Sequence, residues 1–315
     1  MEEEILFVGT INMGVSLYLP AAPVPWDTVK ADETRLETDG IASRESVSTV
    51  LLGGRAAVLG RVGDDAFGQT MAETLRARGV NVQGVTVAKG VPSGMIFVHR
   101  ISGEQAPSLV YSAGANDSYR PGDLKDFESL FEGRKTVVIS NRLPACAVTE
   151  AAAMAKRHGA FVLLSATPVE RLPLELYPSV DIILPNEADI CTLTGCQAPD
   201  LKTARLALST LLERGARTAV LKYGADGVLI ATGNEFLSLG QPEMGVEIDK
   251  NGDRNIFVAA LALSLNRGEE LYSAAIYAQA AAFLSRAKEG IRAQVPTPEE
   301  LREHLRKNPL FSEQS

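Results

Sequence analysis

The sequence predicts the α/β class: a parallel, doubly wound sheet with helices on both faces and a small antiparallel sheet beside it. Two observations carry that expectation. Through the second half of the chain, short apolar runs alternate with segments of helical spacing that end at glycine. Parallel strands need such crossovers, and because both their faces are covered they read as unbroken apolar runs. The segments near residues 12–36 and 92–112 depart from this rhythm, the first being punctuated by Pro20, Pro23 and Pro25. They are placed together as the small sheet, within a single domain spanning 1–315.

Taken in order, Ile5 to Gly9 is a buried strand closed by glycine, and Val15 to Leu19 leans to β structure. Ser43 to Leu52 reads as a helix and 56–60 as a strand. Asp65 to Arg78 carries Phe67, Met71 and Leu75 at helical spacing and stops at Gly79. Strands are expected at 82–87, 94–100 and 108–112. The alternation follows: strand 136–140, helix 147–158, strands 161–165 and 182–184, helix 203–214, strand 218–222. Residues 228–231 and 236–239 make a hairpin-like pair around Gly233-Asn234, and helices fill 256–265, 271–285 and 298–306.

Composition narrows the class of function. A formal net charge of −8 over 315 residues, with no basic block, argues against a nucleic-acid surface. No run approaches the ~20 apolar residues of a membrane helix, and the acidic start Met1-Glu2-Glu3-Glu4 does not read as a signal peptide. Cys146, Cys191 and Cys196 show no metal spacing and read as free thiols. The expectation is a soluble, cytoplasmic protein.

The most telling stretch is Glu247-Ile248-Asp249-Lys250-Asn251-Gly252-Asp253-Arg254-Asn255-Ile256-Phe257. It resembles the phosphate loop and helix start of the ribokinase-like sugar kinases, the PfkB carbohydrate kinase family, where the pattern runs D-T-x-G-A-G-D-x-F and the last Asp is the catalytic base. Further resemblances follow in family order along nearly the whole chain: Gly9-Thr10-Ile11-Asn12, Gly63-Asp64-Asp65-Ala66-Phe67-Gly68, Gly114-Ala115-Asn116, Asn186-Glu187-Ala188-Asp189 and Lys222-Tyr223-Gly224-Ala225-Asp226-Gly227. The resemblance implies a three-layer α/β/α ribokinase-like fold with a small β-sheet lid. It also implies ancestral ATP-dependent phosphorylation of a sugar or related alcohol, with Mg²⁺, and a homodimer formed through the lid.

Against that pattern several working positions are exchanged. Aligned without a gap, Asn255 stands at the base position, and an amide cannot take a proton from a hydroxyl near neutral pH. Gly252 and Arg254 fall where phosphate would bind, and Asp253 puts a carboxylate beside them; as helix starters, Asp253 and Asn255 also read simply as N-caps. On the substrate side, Asn12 follows the first strand and Gly14 stands where the family has an Asp. Asp39-Gly40 and Arg44 replace its Gly-Gly and Asn. The nucleotide side keeps Lys222, Gly224 and Gly227 for a phosphate-facing turn, Asn186 and Asp189 for water and Mg²⁺, and Ser165 where the family has Asn. The leading expectation is therefore a family member with impaired or absent phosphotransfer, retained as a ligand sensor or assembly partner. One alternative is a working kinase on an unusual acceptor with Asp253 as base; another is an inert scaffold.

Overall fold

The computed structural model describes residues 4–104, 106–167, 172–224, 227–240, 253–288 and 294–308. From the N-terminus run β1 (Ile5–Val8), β2 (Asn12–Leu19), β3 (Glu33–Asp39), α1 (Ile41–Leu51), β4 (Ala56–Gly63), α2 (Ala66–Ala77), β5 (Asn81–Ala88), β6 (Gly94–Ile101) and β7 (Ser108–Ser112). Then come β8 (Thr136–Ser140), α3 (Ala145–Arg157), β9 (Phe161–Ala166), β10 (Ile182–Pro185), α4 (Ile190–Thr194), α5 (Leu201–Glu213) and β11 (Thr218–Lys222). The hairpin β12 (Val228–Thr232) and β13 (Glu235–Leu239) precedes α6 (Asp253–Asn266), α7 (Leu271–Ser285) and α8 (Pro298–Lys307).

Nine strands form one sheet in the order β13-β12-β11-β10-β9-β8-β1-β4-β5. All neighbours from β11 to β5 pair in parallel, and only the hairpin at the far edge is antiparallel. At the centre, every residue of β1 is buried, as two covered faces require. Two separate apolar clusters lie on the two faces. One draws on α1, α2, α6, α7 and α8, the other on α3, α4 and α5, so the body has three layers. Each fully buried Leu, Ile or Phe among them contributes about 1.5–3 kcal/mol. From β1 the chain winds one way to β4 and β5, and from β8 the other way to β11. This reversal opens a crevice at the carboxyl ends of the strands, the usual ligand position in such sheets.

A second sheet has the order β3-β2-β6-β7. The expectation of a purely antiparallel small sheet is corrected here: β2 and β6 pair in parallel, from Asn12↔Gly94 to Leu19↔Ile101. Both strands leave the body in the same direction, because α1, β4, α2 and β5 intervene and reset the chain. One face of this sheet carries Leu36, Val15, Phe97 and Val110 in a single cross-strand row, with Leu36 and Val110 exposed. The opposite face carries Gly14, Glu37, Ile96 and Tyr111 in register.

Helix α1 breaks the ordinary pattern. Its Ser43, Arg44, Glu45, Ser46, Ser48 and Thr49 are all buried. Polar groups inside a core need partners, and several of theirs lie at the crevice.

Candidate active site

Where β3 enters α1 the backbone turns at Gly40, whose φ of 103° only glycine takes without strain. A Cβ there would also run into the Thr10 carbonyl oxygen. The Gly40 amide donates to Asp39 Oδ1 at 2.6 Å, and the Ile41 amide donates to Thr10 Oγ1 at 3.0 Å. Arg44, one turn into α1, closes on the same carboxylate: Nε donates to Oδ1 at 2.5 Å and Nη2 to Oδ2 at 2.9 Å. This is a two-pronged pair with both side chains at or below 10% exposure. Asp39 also fills the space above Gly14. A Cβ on Gly14 would come to 3.1 Å from Asp39 Cβ and 3.2 Å from Oδ2. Gly14, Asp39 and Arg44 thus fit one another. Asn12 takes another part: its Oδ1 accepts from Asn116 Nδ2 at 2.8 Å, while Asn116 Oδ1 accepts from the Ile11 amide at 3.0 Å. It ties the root of the small sheet to the body.

At the other end of the crevice, Asp253 opens α6. Its Oδ2 accepts from Lys222 Nζ at 2.6 Å and from Arg286 Nε at 2.8 Å. Burial pushes this carboxyl upward, but the charges and hydrogen bonds of Lys222 and Arg286 outweigh it and hold it below the usual carboxylate range. Burial likewise lowers the Lys222 ammonium, against the opposing pull of Asp253.

Arg254 turns between the strand ends. Nη1 donates to Ser165 Oγ at 2.9 Å, and Nη2 donates to the Leu184 carbonyl. Ser165 Oγ in turn donates to Glu45 Oε1 at 3.0 Å. Burial lifts the Glu45 carboxyl to about 8 despite Arg254 and Ser165, and burial lowers the Arg254 guanidinium to about 10. Asn255 is part-buried in the same first turn of α6.

Asp189 precedes α4 and accepts from Thr167 Oγ1. Asn186 Oδ1 accepts from the Ala188 amide at 2.8 Å, forming a local turn. Gly224 donates its amide to Glu187 at 3.1 Å. At Gly227, with φ of 83°, a Cβ would strike the Leu239 carbonyl oxygen. Gly252 lies outside the described residues. Among the described residues no cluster of three ligating side chains exists for a metal ion, and no helix is long and apolar enough to cross a membrane.

The crevice therefore brings together Asp39, Arg44, Glu45, Arg142, Asp189, Asp253 and Arg254 as one chain of charges. Arg142 lies in electrostatic range of Asp39 and Asp189, and Arg254 in range of Glu45, Asp189 and Asp253. Sequence reasoning did not find Glu45, Arg142 or Arg286. Arg142 had a signal: Ser140-Asn141-Arg142 is a polar exit from a buried parallel strand, at the end where ligands bind.

A family model described as pfkB family carbohydrate kinase matches residues 3–298. The chain belongs to the pfkB family. Within it, the ribokinase of Haemophilus influenzae is 26% identical over 306 residues, covering 97% of this chain and 99% of the relative. The ribokinase of Mus musculus is 28% identical over 269 residues, covering 84% of this chain and 83% of the relative. The structure of Arabidopsis thaliana ribokinase complexed with ribose and ATP superposes with a TM-score of 0.91, at 23% identity, over 98% of this chain and all (100%) of that one. Thermotoga maritima ribokinase gives a TM-score of 0.86 at 23% identity, over 97% of this chain and 100% of that one. The pfkB family fold and its small accessory sheet are thus the fold of this chain, and the family's ancestral activity is ATP-dependent sugar phosphorylation.

Proposed function

We propose that this pfkB-family member still receives a small molecule in its crevice but transfers phosphoryl groups weakly or not at all. The state of Asp253 carries this reading. In sequence it is the carboxylate nearest the aligned base position, and it accepts from both Lys222 and Arg286. A carboxylate so paired has too little proton affinity to serve as a general base near neutral pH. Asn255 has none to offer.

ATP and Mg²⁺ use is typical of the family, and the nucleotide side here fits them in part. Gly224, Gly227 and Asp189 favour retention; a Mg²⁺ ion needs only one or two protein carboxylates besides phosphate oxygens. Lys222, engaged by Asp253, favours weaker binding. When bound, ATP would supply the transferable phosphoryl group.

The test is ADP release with a panel of sugars, run beside thermal shift with ATP–Mg²⁺ for the native protein and Asn255→Asp. A nucleotide shift with turnover near background is expected. Asn255→Asp is expected to stay within about tenfold of the parent, because Gly14, Asp39 and Arg44 leave no acceptor side for a hydroxyl substrate. Brisk, acceptor-dependent ADP release by the native chain would refute the reading.

A further inference from the structure

Arg44 carries the obvious positive charge on the acceptor side, but Asp39 answers it with both oxygens. Arg142 is answered differently. It leaves the carboxyl end of β8 and stacks its guanidinium 4.4 Å from the centre of the Tyr111 ring, on the body-facing side of the small sheet. Its Nε is buried with no hydrogen-bond partner, and so is the Tyr111 hydroxyl. Buried polar atoms without partners are rare and costly, about 1–3 kcal/mol each. Two donors orphaned side by side at a ligand crevice mark a place where an acceptor belongs. No nearby carboxylate fills that role: Asp39 is engaged by Arg44, Asp189 accepts from Thr167, and Asp117, in electrostatic range of Tyr111, leaves its hydroxyl unpartnered.

The wider charge pattern agrees. The chain as a whole carries −8, which repels anions. Along the crevice, however, Arg44, Arg142, Arg254, Lys222 and Arg286 match the carboxylates Asp39, Asp117, Glu187, Asp189 and Asp253 in number. Glu45, buried among them, holds its proton at neutral pH. A cleft free of the chain's acidic excess admits an anion that the surrounding surface would repel. A guanidinium stacked on an aromatic ring also keeps its N–H edge fixed in one plane, ready for a two-oxygen acceptor.

We propose that Arg142 and Tyr111 form an anion-binding subsite, and that the ligand of this protein is a small polyol bearing a carboxylate or phosphate. The inference rests on the reading that the crevice still receives a small molecule. The anionic group accepts from Arg142 Nε and from the Tyr111 hydroxyl.

Calorimetric titration of the full chain tests it with two matched series. One is D-glucose, D-glucuronate and D-glucose 6-phosphate; the other is D-ribose and D-ribose 5-phosphate. A charged member is expected to bind at least tenfold more tightly than its neutral parent. Whether the carboxylate or the phosphate shows the advantage identifies the source. Arg142→Gln is expected to abolish the advantage, Arg142→Lys to keep part of it, and Tyr111→Phe to reduce it about threefold. The proposal is overturned if no charged member binds, if neutral parents bind equally well, or if the advantage survives Arg142→Gln at an unchanged melting temperature. Should Arg142→Gln not fold, unchanged binding in Tyr111→Phe overturns it. ADP release in the same mixtures separates the two readings. Turnover of a charged acceptor refutes weak phosphotransfer and leaves the subsite standing, while no turnover and no charge preference removes the subsite alone.

Discussion

The two ends of the crevice, at the Gly40 corner and at the start of α6, each hold a buried carboxylate, and they accommodate it in different ways. Asp39 finds its cation five residues away, on the helix its own strand runs into. The pair is local, and the amide of Gly40 shares the load. Asp253 gathers its cations from β11 and from the end of α7, 31 and 33 residues away. Its lock joins a strand end, a helix start and a helix end. A local pair constrains one corner of the site, whereas a lock across three elements is part of what positions α6 against the sheet.

That contrast sets the order of expected losses. Asp253→Ala removes the carboxylate that Lys222 and Arg286 share, and urea unfolding is expected to report a loss of about 4 kcal/mol. Arg44→Ala leaves one carboxylate that keeps an amide donor, so a smaller loss of about 3 kcal/mol is expected. If Asp253→Ala costs no more than Arg44→Ala, the distinction between local and distributed locks fails. The double change Asp39→Gly with Arg44→Asn removes both partners and is expected to cost less than Arg44→Ala alone, with a coupling of about 1–3 kcal/mol in the double-mutant cycle.

The two ends also separate by pH. Asp253 is held below its ordinary 3.8, so its stabilisation is present above that value and is lost as pH falls through the folded value. Glu45 runs the other way. Its folded carboxyl sits near 8 against 4.5 unfolded, so its contribution is intact below about 4.5 and declines as pH rises to about 8. Glu45→Gln is therefore expected to raise the melting temperature at pH 8, leave it unchanged at pH 4.5, and flatten the slope between. A slope that persists in Glu45→Gln assigns the decline to another group.

Most of the body was legible because its strands are unbroken apolar runs and its helices end at glycine. Strand β3 was not, since Glu33-Thr34-Arg35-Leu36-Glu37-Thr38-Asp39 is an exposed edge whose only apolar residue is Leu36. Its existence depends on pairing with β2, which local composition does not reveal. The parallel pairing of β2 with β6 was hidden for a related reason: direction follows from the connection, not from either strand. In the site, the exchanged positions were visible one by one. Their fit was not, because Asp39 and Arg44 meet across a strand-to-helix corner and Arg286 is a single cation at a helix end with no motif around it. Asp253 showed as a candidate base; only the geometry reveals the two cations it pairs with.

The close fit of Asp39 over Gly14 also limits how this crevice could change by single steps. A carboxylate at position 14 and one at position 39 would contend for one volume, with contacts near 3.1 Å before any charge repulsion is counted. The corner accepts an acid on one strand or on its neighbour, not on both. Any stepwise route between those two arrangements passes through a chain with no acid at either position. In such a chain Arg44 faces the corner without the carboxylate that now holds both its prongs.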